Sequence, residues 1–349
     1  MFDRIKNLEK FLSQKQKEGL FTHYYLGIGS LKEAEPRVKL EGDKPEDLFD
    51  LASLTKALVT TPLFFKTLLN TERSELFKLT FGAWLGSKSS FFHPRVNKIK
   101  VLDLLSHNSG LVPWRNFWIE RCLKEGGFVP HTKKSLLLRL NYFVEKNHGL
   151  EREAYSDLGF ILLALGLELR SGLSLSNLFQ RYCSQSLGLF SSNLVFGPDL
   201  KNKKRAVPTG ACELRGRNLQ GEVHDENCGA LGGVSGHAGL FGGGEDTLRF
   251  LRAYWPTQGA RLMVSLCKEG SPHQAFGWRP GLRGSARFFA EGRALGHLGF
   301  TGCSFWVDPE SSFYVLFLSN RIVFSRINPN FFEIRKFICS SANEILGLS

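Results

Sequence analysis

The chain has 349 residues, of which 42% are hydrophobic and 22% charged, so it can bury a large core and is neither disordered nor collagen-like. Its length fits one large domain or two closely packed domains. The net charge of +12 is scattered along the chain, and its densest cluster, residues 201–205, is typical of a solvated loop without a nucleic-acid motif, so we predict no nucleic-acid partner.

The N-terminal segment predicts a helix and then a strand. The first twelve residues form an apolar helical stripe interrupted by charges, which is unlike the apolar centre of an export signal. Residues 23–29 predict a strand, and residues 32–44 a polar turn. Apolar stretches stay well below the roughly 18 residues of a membrane helix. We therefore predict no transmembrane segment and a cytoplasmic protein, or a periplasmic one if a leader is absent from this sequence.

Helical periodicity dominates the middle of the chain. Apolar runs separated by Gly, Pro, Ser and Asn predict helices at residues 57–69, 100–105, 135–143 and 158–169. A glycine-rich segment follows at residues 229–244, where we expect positive φ angles or close backbone approaches before the next helix begins.

The C-terminal part predicts more strands. They lie at residues 287–291, 302–307 and 312–318, and an amphipathic helix follows at residues 330–346. The chain therefore predicts an α/β (α+β) fold.

The predicted division of the chain has two parts. Residues 1–55 and 230–349 form a sheet-containing α/β domain, and residues 56–229 form a mainly helical domain. We expect the active cleft between the two domains.

Ser53 lies three residues before Lys56 at the start of a predicted helix. This spacing puts both side chains on one face of the first turn, so the amine can take the hydroxyl proton as the serine attacks a carbonyl. The backbone N–H of Ser53, unpaired at a helix N-terminus, can help hold the oxyanion. Roughly two such pairs arise by chance in a chain of this composition. The second, Ser265 and Lys268, follows no strand and predicts an ordinary helix.

Two further motifs follow in chain order. They are Tyr-Ser-Asp at residues 155–157, before an apolar helix, and His-Leu-Gly at residues 297–299, before a strand. With Ser53 and Lys56 they make the chain resemble the serine hydrolases that include class C β-lactamases, D-alanyl-D-alanine carboxypeptidases (penicillin-binding-protein-like) and related esterases. The matching segments span about residues 50–320. The resemblance implies a β-lactamase/transpeptidase-like fold, with an antiparallel sheet flanked by terminal helices and a helical insert domain.

The resemblance implies three catalytic residues. Ser53 is the nucleophile, Lys56 its activator, and Tyr155 the phenol that moves protons to the leaving group. Such a lysine must be desolvated if its amine is to be neutral near pH 7. The alternatives are a solvated helix lysine and a core tyrosine with a satisfied hydroxyl.

Five residues are predicted to bind substrate: Asp157, His297, Leu298, Gly299 and Phe300. Asp157 stands where the family more often has Asn, and the alternative role for it is a helix N-cap. His297 takes the place of a Lys or His on the sheet edge that lines the cleft, or it only orients the strand. The N–H of Phe300 is the second oxyanion donor that the resemblance implies.

No metal or cofactor is predicted. The seven cysteines form no C-x-x-C pair. Glu222, His224, Asp225 and Glu226 are ligand types, but consecutive residues point apart and no second cluster completes a site. Ser-Gly-His at residues 235–237 brings a serine near a histidine, yet a triad is assembled in space and this string matches a structural loop of the resembling family.

The predicted reaction is acyl transfer through a Ser53 acyl-enzyme, on an ester or on a peptide or amide such as a peptidoglycan fragment. Relatives that recognise a D-alanyl or β-lactam carboxylate usually have Thr or Ser where this chain has Leu298, which favours an esterase or peptidase over an efficient β-lactamase. The alternative is a catalytically silent binding or sensor protein on the same fold. The sequence leaves the natural substrate and the oligomeric state open.

Overall fold

The computed structural model describes residues 1–42, 47–116, 119–125, 132–146, 154–269, 276–281 and 284–348. The strands are β1 Tyr24–Ser30, β2 Val38–Glu41, β3 Phe49–Asp50, β4 Val195–Phe196, β5 Pro208–Cys212, β6 Arg217–Gln220, β7 Leu240–Gly242, β8 Arg279–Pro280, β9 Leu295–Leu298, β10 Ser304–Val307 and β11 Phe313–Ser319. The α-helices are Phe2–Lys17, Thr61–Leu68, Arg73–Leu76, Phe81–Leu85, Pro94–Asn97, Val101–Leu105, Ile119–Glu125, Lys133–Lys146, Asp157–Ser171, Leu175–Arg181, Glu226–Ala230, Gly244–Tyr254, Gln258–Glu269 and Phe331–Leu346.

The main sheet has the strand order β2-β1-β11-β10-β9-β8. Every neighbouring pair is antiparallel, and β1 lies beside β11 with Tyr24 opposite Ser319 and Ser30 opposite Phe313. The predicted antiparallel sheet built from both ends of the chain is therefore confirmed. A smaller sheet, β3-β7-β4, joins the segment before Ser53 to the glycine-rich segment.

The two faces of the main sheet contribute to two apolar cores. Side chains alternate across a strand, so Phe317 packs toward the terminal helices while Leu316 and Leu318 face the helical region. The terminal core includes Leu8 and Ile338, one from each terminal helix. Full burial of a side chain of this kind contributes about 1.5–3 kcal/mol relative to exposure. The sheet is thus fixed between two layers of helices.

The centre of the helical region is helix Asp157–Ser171, in which ten consecutive residues are buried. A helix that is apolar on every side is stable when other elements enclose it. The glycine-rich segment approaches it so closely that a Cβ at Gly236 would lie 2.2 Å from the Phe160 carbonyl oxygen. This enclosure holds residues 155–157, at the N-terminus of the helix, in one position.

Within the described part of the chain, we find no single helix with both the length and the apolar character of a membrane span. One bent pair, Asp157–Ser171 with Leu175–Ser186, reaches that length and composition when its two helices are taken together. The first helix of this pair is the buried centre of the helical region.

The predicted strand at residues 287–291 is wrong. Two short 3₁₀ helices, Gly284–Phe288 and Ala290–Gly292, occupy this region, and Ala290 and Glu291 have φ angles of 48° and 50°. Ala290 donates its backbone N–H to Asn343 Oδ1 at 2.8 Å. The apolar run therefore packs under the C-terminal helix, and the edge of the sheet is formed by β8 instead.

The predicted polar turn at residues 32–44 contains a strand, β2. Val38 is buried and pairs with Ile28 of β1, so one apolar residue among charges is enough to anchor an edge strand. Residues 43 and 44 of the predicted turn lie outside the described residues. The division into two domains stays a prediction.

Candidate active site

Ser53 lies on a sharp turn between β3 and the helical region. Ala52 has a φ angle of 46°, in the left-handed region that a residue with a side chain adopts only when its surroundings hold it there. The carboxylate of Asp50 accepts the N–H of Ala52 at 2.9 Å and that of His224 at 2.8 Å. Burial raises the pKa of Asp50 to about 6, against the lowering effect of these two hydrogen bonds. Asp50 therefore fixes the turn that presents Ser53, a role that sequence analysis missed.

The ammonium of Lys56 is fully buried and lies among several acceptors. Nζ donates to Ser53 Oγ at 2.9 Å and to the His237 carbonyl at 3.2 Å. Its third contact is an ion pair with Asp157 Oδ1 at 2.7 Å. Lys56 begins a π-helical turn, Lys56–Thr60, directly after the nucleophile. The structure thus brings together the two residues that the spacing predicted to share one face.

The charge state of Lys56 differs from the prediction. Burial disfavours the ammonium, but the charge of Asp157 and hydrogen bonds with Asp157 and Tyr155 outweigh it and raise the pKa of Lys56 above its ordinary value. The expectation of a neutral amine near pH 7 is therefore wrong for the unliganded site. The physical reason is the aspartate at a position where the family more often has an uncharged asparagine.

Tyr155 lies among aromatic and cationic groups. Its ring stacks on His107 with 4.3 Å between centroids, and Lys56 Nζ lies 5.0 Å from its centre. On the other side, the guanidinium of Arg279 lies 5.5 Å from the ring centre. The His107 Nδ1 accepts the N–H of Ser156 at 3.0 Å. Burial, with the charges of Lys56 and Arg279, lowers the pKa of His107 to about 3, so this imidazole is neutral.

His297 is fully buried behind the cleft, with its ring centroid 6.1 Å from that of Tyr155. Its Nδ1 donates to the Leu298 carbonyl at 2.8 Å. Its Nε2 has no hydrogen-bond partner in the described part of the chain. Burial, together with the charges of Lys56 and Arg279, holds the pKa of His297 well below its usual range. A neutral imidazole therefore stands at the position where the resemblance implies a Lys or His.

The two predicted oxyanion donors are both free. Neither the N–H of Ser53 nor that of Phe300 donates to an acceptor among the residues that the structure describes. Gly299 lies against the nucleophile turn, because a Cβ added there would be 2.8 Å from the Leu51 carbonyl oxygen. This close packing puts the loop that carries Phe300 beside Ser53.

The remaining predicted substrate contacts differ in exposure. Phe300 is 44% exposed, with its ring between the guanidinium groups of Arg321 and Arg326 at 5.0 and 5.3 Å. Leu298 is partly buried and packs against the terminal core.

Asp157 is the first residue of its helix and pairs with Lys56, while Ser156 takes the N-cap position. The N-cap alternative for Asp157 is therefore wrong, and substrate contact by these residues stays a prediction.

A second charged network lies behind Lys56. His237 Nε2 donates to Asp225 Oδ1 at 2.9 Å, and its Nδ1 lies 2.8 Å from Ser235 Oγ. Burial alone would raise the pKa of Asp225, but the charge and hydrogen bond of His237 lower it to about 2. Because the His237 carbonyl accepts from Lys56, this network also positions the Lys56 ammonium. Sequence analysis treated Asp225 and residues 235–237 separately, because they lie in different loops.

Asp157, Asp225 and His237 offer ligand atoms within 4.8 Å of one another, the one group of this kind that we find among the described residues. Lys56 already binds Asp157, and His237 already donates to Asp225. The buried ammonium would also repel a metal cation. The arrangement fits an ion-pair network better than a metal centre.

The fold and the juxtaposed serine, lysine and tyrosine define a class of protein, the serine hydrolases with a β-lactamase-like architecture. Residues 22–326 match the sequence model of the Beta-lactamase family, so the chain belongs to that family.

Two curated relatives have names tied to peptidoglycan. The N-acetylmuramyl-L-alanine amidase of Bacillus subtilis (strain 168) is 26% identical over 338 residues, covering 87% of this chain and 75% of the relative. A putative D-alanyl-D-alanine carboxypeptidase of Escherichia coli (strain K12) is 27% identical over 277 residues, covering 68% of this chain and 61% of the relative.

Solved structures share the fold at low identity. The octameric penicillin-binding protein homologue from Pyrococcus abyssi has a TM-score of 0.69 at 18% identity, covering 98% of this chain and 77% of that one. A class C β-lactamase has a TM-score of 0.67 at 12% identity, covering 97% and 98%. EstCE1, a hydrolase with promiscuous acyltransferase activity, has a TM-score of 0.64 at 18% identity, covering 96% and 97%. These likenesses establish the β-lactamase/transpeptidase-like fold.

Proposed function

We propose that this protein hydrolyses an ester, or a peptide or amide such as a peptidoglycan fragment, through an acyl-enzyme on Ser53. The observation that carries the proposal is the position of Lys56 Nζ, which lies 2.9 Å from Ser53 Oγ and 2.7 Å from Asp157 Oδ1. One buried group therefore touches both the nucleophile and a carboxylate that can take its proton.

The resting ion pair sets the order of proton transfers. Lys56 must pass one proton to Asp157 before it can accept the hydroxyl proton of Ser53. A substrate that covers the cleft excludes water, which disfavours two buried charges relative to the neutral amine and acid. Ser53 Oγ then bonds to the carbonyl carbon as its proton moves to Lys56 Nζ, and the N–H groups of Ser53 and Phe300 hold the oxyanion.

Tyr155 completes the cycle, because its hydroxyl is hydrogen-bonded to Lys56. The proton on Lys56 passes through this hydroxyl to the leaving group as the scissile bond breaks. Water then attacks the acyl carbon, and the same groups accept its proton and return it to Ser53 Oγ as the acid is released. The proton held by Asp157 finally returns to Lys56, which restores the ion pair.

Arg279 supports a substrate with a free carboxylate near the scissile bond. It is exposed on β8, beside Tyr155, and no carboxylate among the described residues pairs with it. A guanidinium binds a carboxylate through two parallel hydrogen bonds, which compensates for the hydroxyl that Leu298 lacks. Peptides that end in D-alanine carry such a group, as the relatives named for peptidoglycan also suggest.

The test is labelling with a fluorophosphonate, read by intact mass and peptide mapping. We expect one adduct on Ser53, none in Ser53→Ala, and full labelling in Ser265→Ala, which alters the other serine with the same spacing to a lysine. An adduct on another residue would contradict the assignment. A protein that takes no label but binds peptidoglycan fragments would instead be the silent binding protein.

The unlabelled enzyme should also discriminate among substrates. With p-nitrophenyl butyrate, a D-alanyl-D-alanine peptide, a muropeptide and a penicillin, we expect the ester and the peptides to be hydrolysed and the penicillin to react slowest. A penicillin hydrolysed faster than both would contradict the preference for an esterase or peptidase.

A further inference from the structure

Two arginines from different elements bind the loop that carries the predicted oxyanion donor. Arg335, on the C-terminal helix, donates from Nη2 to the Gly299 carbonyl at 3.1 Å and to the Cys303 carbonyl at 2.9 Å. Arg321, just after β11, donates from Nε to the Phe300 carbonyl at 2.7 Å. Within the loop, Gly299 donates its N–H to the Cys303 carbonyl at 2.7 Å, and Gly302 donates its N–H to the Gly299 carbonyl at 3.2 Å. The loop is therefore held through its carbonyl groups, while the N–H of Phe300 has no acceptor among the described residues.

Arg335 is held there without a counter-charge. It is partly buried, its Nε has no hydrogen-bond partner, and no carboxylate in the described ranges pairs with it. Burial lowers the pKa of Arg335 to about 9, so the guanidinium is charged at neutral pH. Its partners are instead the two carbonyl groups of the loop and the ring of Phe331, whose centroid lies 4.9 Å from the guanidinium. The positive charge is thus directed at peptide oxygens of the loop.

The two arginines act on different peptide groups. The Gly299 carbonyl and the Phe300 N–H belong to one planar peptide group, whereas the Phe300 carbonyl shares its group with the N–H of Thr301. A hydrogen bond accepted by a peptide oxygen draws electron density from the nitrogen of the same group and strengthens its N–H as a donor. Arg335 therefore acts on the N–H of Phe300, and Arg321 does not.

We propose that Arg335 is a positioning residue of the oxyanion hole, which fixes and polarises the peptide group between Gly299 and Phe300 so that the Phe300 N–H binds the developing oxyanion more strongly. The inference rests on the proposed function, because it needs an acyl-enzyme on Ser53. Arg335 touches no substrate and acts only through this peptide group.

The experiment compares Arg335→Met with Arg321→Met in the full chain, with Arg335→Lys as the conservative variant. Hydrolysis of p-nitrophenyl butyrate gives kcat and KM. The infrared carbonyl band of a slowly hydrolysed, ¹³C-labelled cinnamoyl acyl-enzyme reports the strength of the hydrogen bonds in the oxyanion hole. A variant that only loosens the loop would not shift this band. The position of the band therefore distinguishes polarisation of the peptide group from structural support of the loop.

We expect Arg335→Met to lower kcat about two- to eightfold with KM unchanged. One oxyanion donor contributes about 10²–10³ in kcat, and polarisation about 10–30% of the bond. The acyl carbonyl band should move to higher frequency. Arg321→Met removes a contact to the loop without acting on this peptide group, so it should leave the band in place, and Arg335→Lys should lie between Arg335→Met and the wild type. Where Arg335→Met does not fold, Arg335→Lys carries the comparison, with a smaller band shift in the same direction.

Equal losses in Arg335→Met and Arg321→Met without a band shift would overturn the inference, because both arginines would then only anchor the loop. A wild-type kcat and band in Arg335→Met, or in Arg335→Lys where the methionine variant does not fold, would overturn it too. In both cases the wild type hydrolyses the ester, so the proposed function stands. A wild type that neither hydrolyses the ester nor labels at Ser53 would overturn the proposed function, and this inference with it.

Discussion

The two walls of the proposed active site differ in how their positive charges are balanced. The helical wall, formed by Lys56, residues 155–157 and His237, pairs its ammonium with the carboxylate of Asp157 inside the protein. The sheet wall, formed by Arg279 and residues 297–300, has a neutral imidazole at its back and, at its rim, a guanidinium without a carboxylate partner among the described residues. The comparison teaches that the buried charge of Lys56 is neutralised within the protein, whereas the exposed charge of Arg279 is left to solvent and, in the proposed function, to the substrate.

The largest effect should come from removing the proposed proton-transfer groups of the helical wall. Lys56→Ala and Tyr155→Phe should each lower kcat on p-nitrophenyl butyrate by about 10²–10⁴, the usual contribution of general acid–base groups. Because each residue hands its proton to the other, the double variant should be little worse than the poorer single variant. Lys268→Ala, the lysine of the other spaced pair, is the matched control and should keep wild-type kcat. Fully additive losses would contradict the shared proton route.

The next effect tests the charge on the helical wall. Asp157 raises the pKa of Lys56, so Asp157→Asn should lower that pKa. In the wild type, the proposed proton transfer from Lys56 to Asp157 stays inside the protein and requires no loss of a proton to solvent. In Asp157→Asn, neutral Lys56 forms only when the ammonium loses its proton to water, so kcat/KM should gain a limb that rises about tenfold per pH unit up to the lowered pKa of Lys56. A pH profile like that of the wild type would show that another group takes the proton from Lys56.

Arg279→Gln should remove the proposed carboxylate contact of the sheet wall and so affect only substrates with a free carboxylate. Loss of a hydrogen bond to a charged group costs about 1.5–3 kcal/mol, so kcat/KM for a D-alanyl-D-alanine peptide should fall roughly ten- to a hundredfold. A neutral ester makes no such contact and should react as in the wild type. Leu298→Thr is the companion variant on the same wall, and we expect it to alter both substrates less than threefold because Leu298 packs against the terminal core. Equal losses for peptide and ester in Arg279→Gln would remove the carboxylate anchor from the proposal.

The smallest effect concerns the stability of the network behind Lys56. The pKa of Asp225 is lowered from 3.8 to about 2, which contributes about 2 kcal/mol to the free energy of unfolding at pH 7. For a lowered carboxyl pKa, this stability is present above pH 4 and is lost as the pH falls toward 2. Urea unfolding of Asp225→Asn should therefore show a deficit of this size at pH 7 and about half of it at pH 3. A deficit that does not change with pH would trace to packing rather than to the charge.

Local geometry explains why the pairing of Ser53 with Lys56 could be predicted from the sequence. Ser53 and Lys56 are one helical turn apart, so their contact needs no long-range information. The sheet was also predictable, because the nearly continuous apolar residues of β1 and β11 require both faces of the sheet to be covered. The strand at residues 287–291 was misplaced because its apolar run fits a buried 3₁₀ segment equally well, and only the contact with Asn343 distinguishes the two.

The contacts that sequence analysis missed depend on how separate segments of the chain pack together. Asp225 and His237 are twelve residues apart but meet only because two loops fold back behind Lys56. Arg335 follows Gly299 by 36 residues, and its contact depends on how the C-terminal helix crosses the sheet. Nothing in the spacing of these residues encodes such packing. The charge state of Lys56 likewise depends on the position that the buried helix gives Asp157.

The pairing of β1 with β11 has a consequence for synthesis of the protein. Tyr24 and Ser319 are neighbours in the sheet, so nearly the whole chain must leave the ribosome before the central strands can meet. Contacts of such high sequence separation form slowly, and unpaired strand edges in the meantime favour aggregation. Ser53 is made early, yet its oxyanion loop arrives only with residues 298–303. A nascent chain therefore contains Ser53 long before the loop that the proposed acyl transfer needs, and the site is complete only after residues 298–303 have been made.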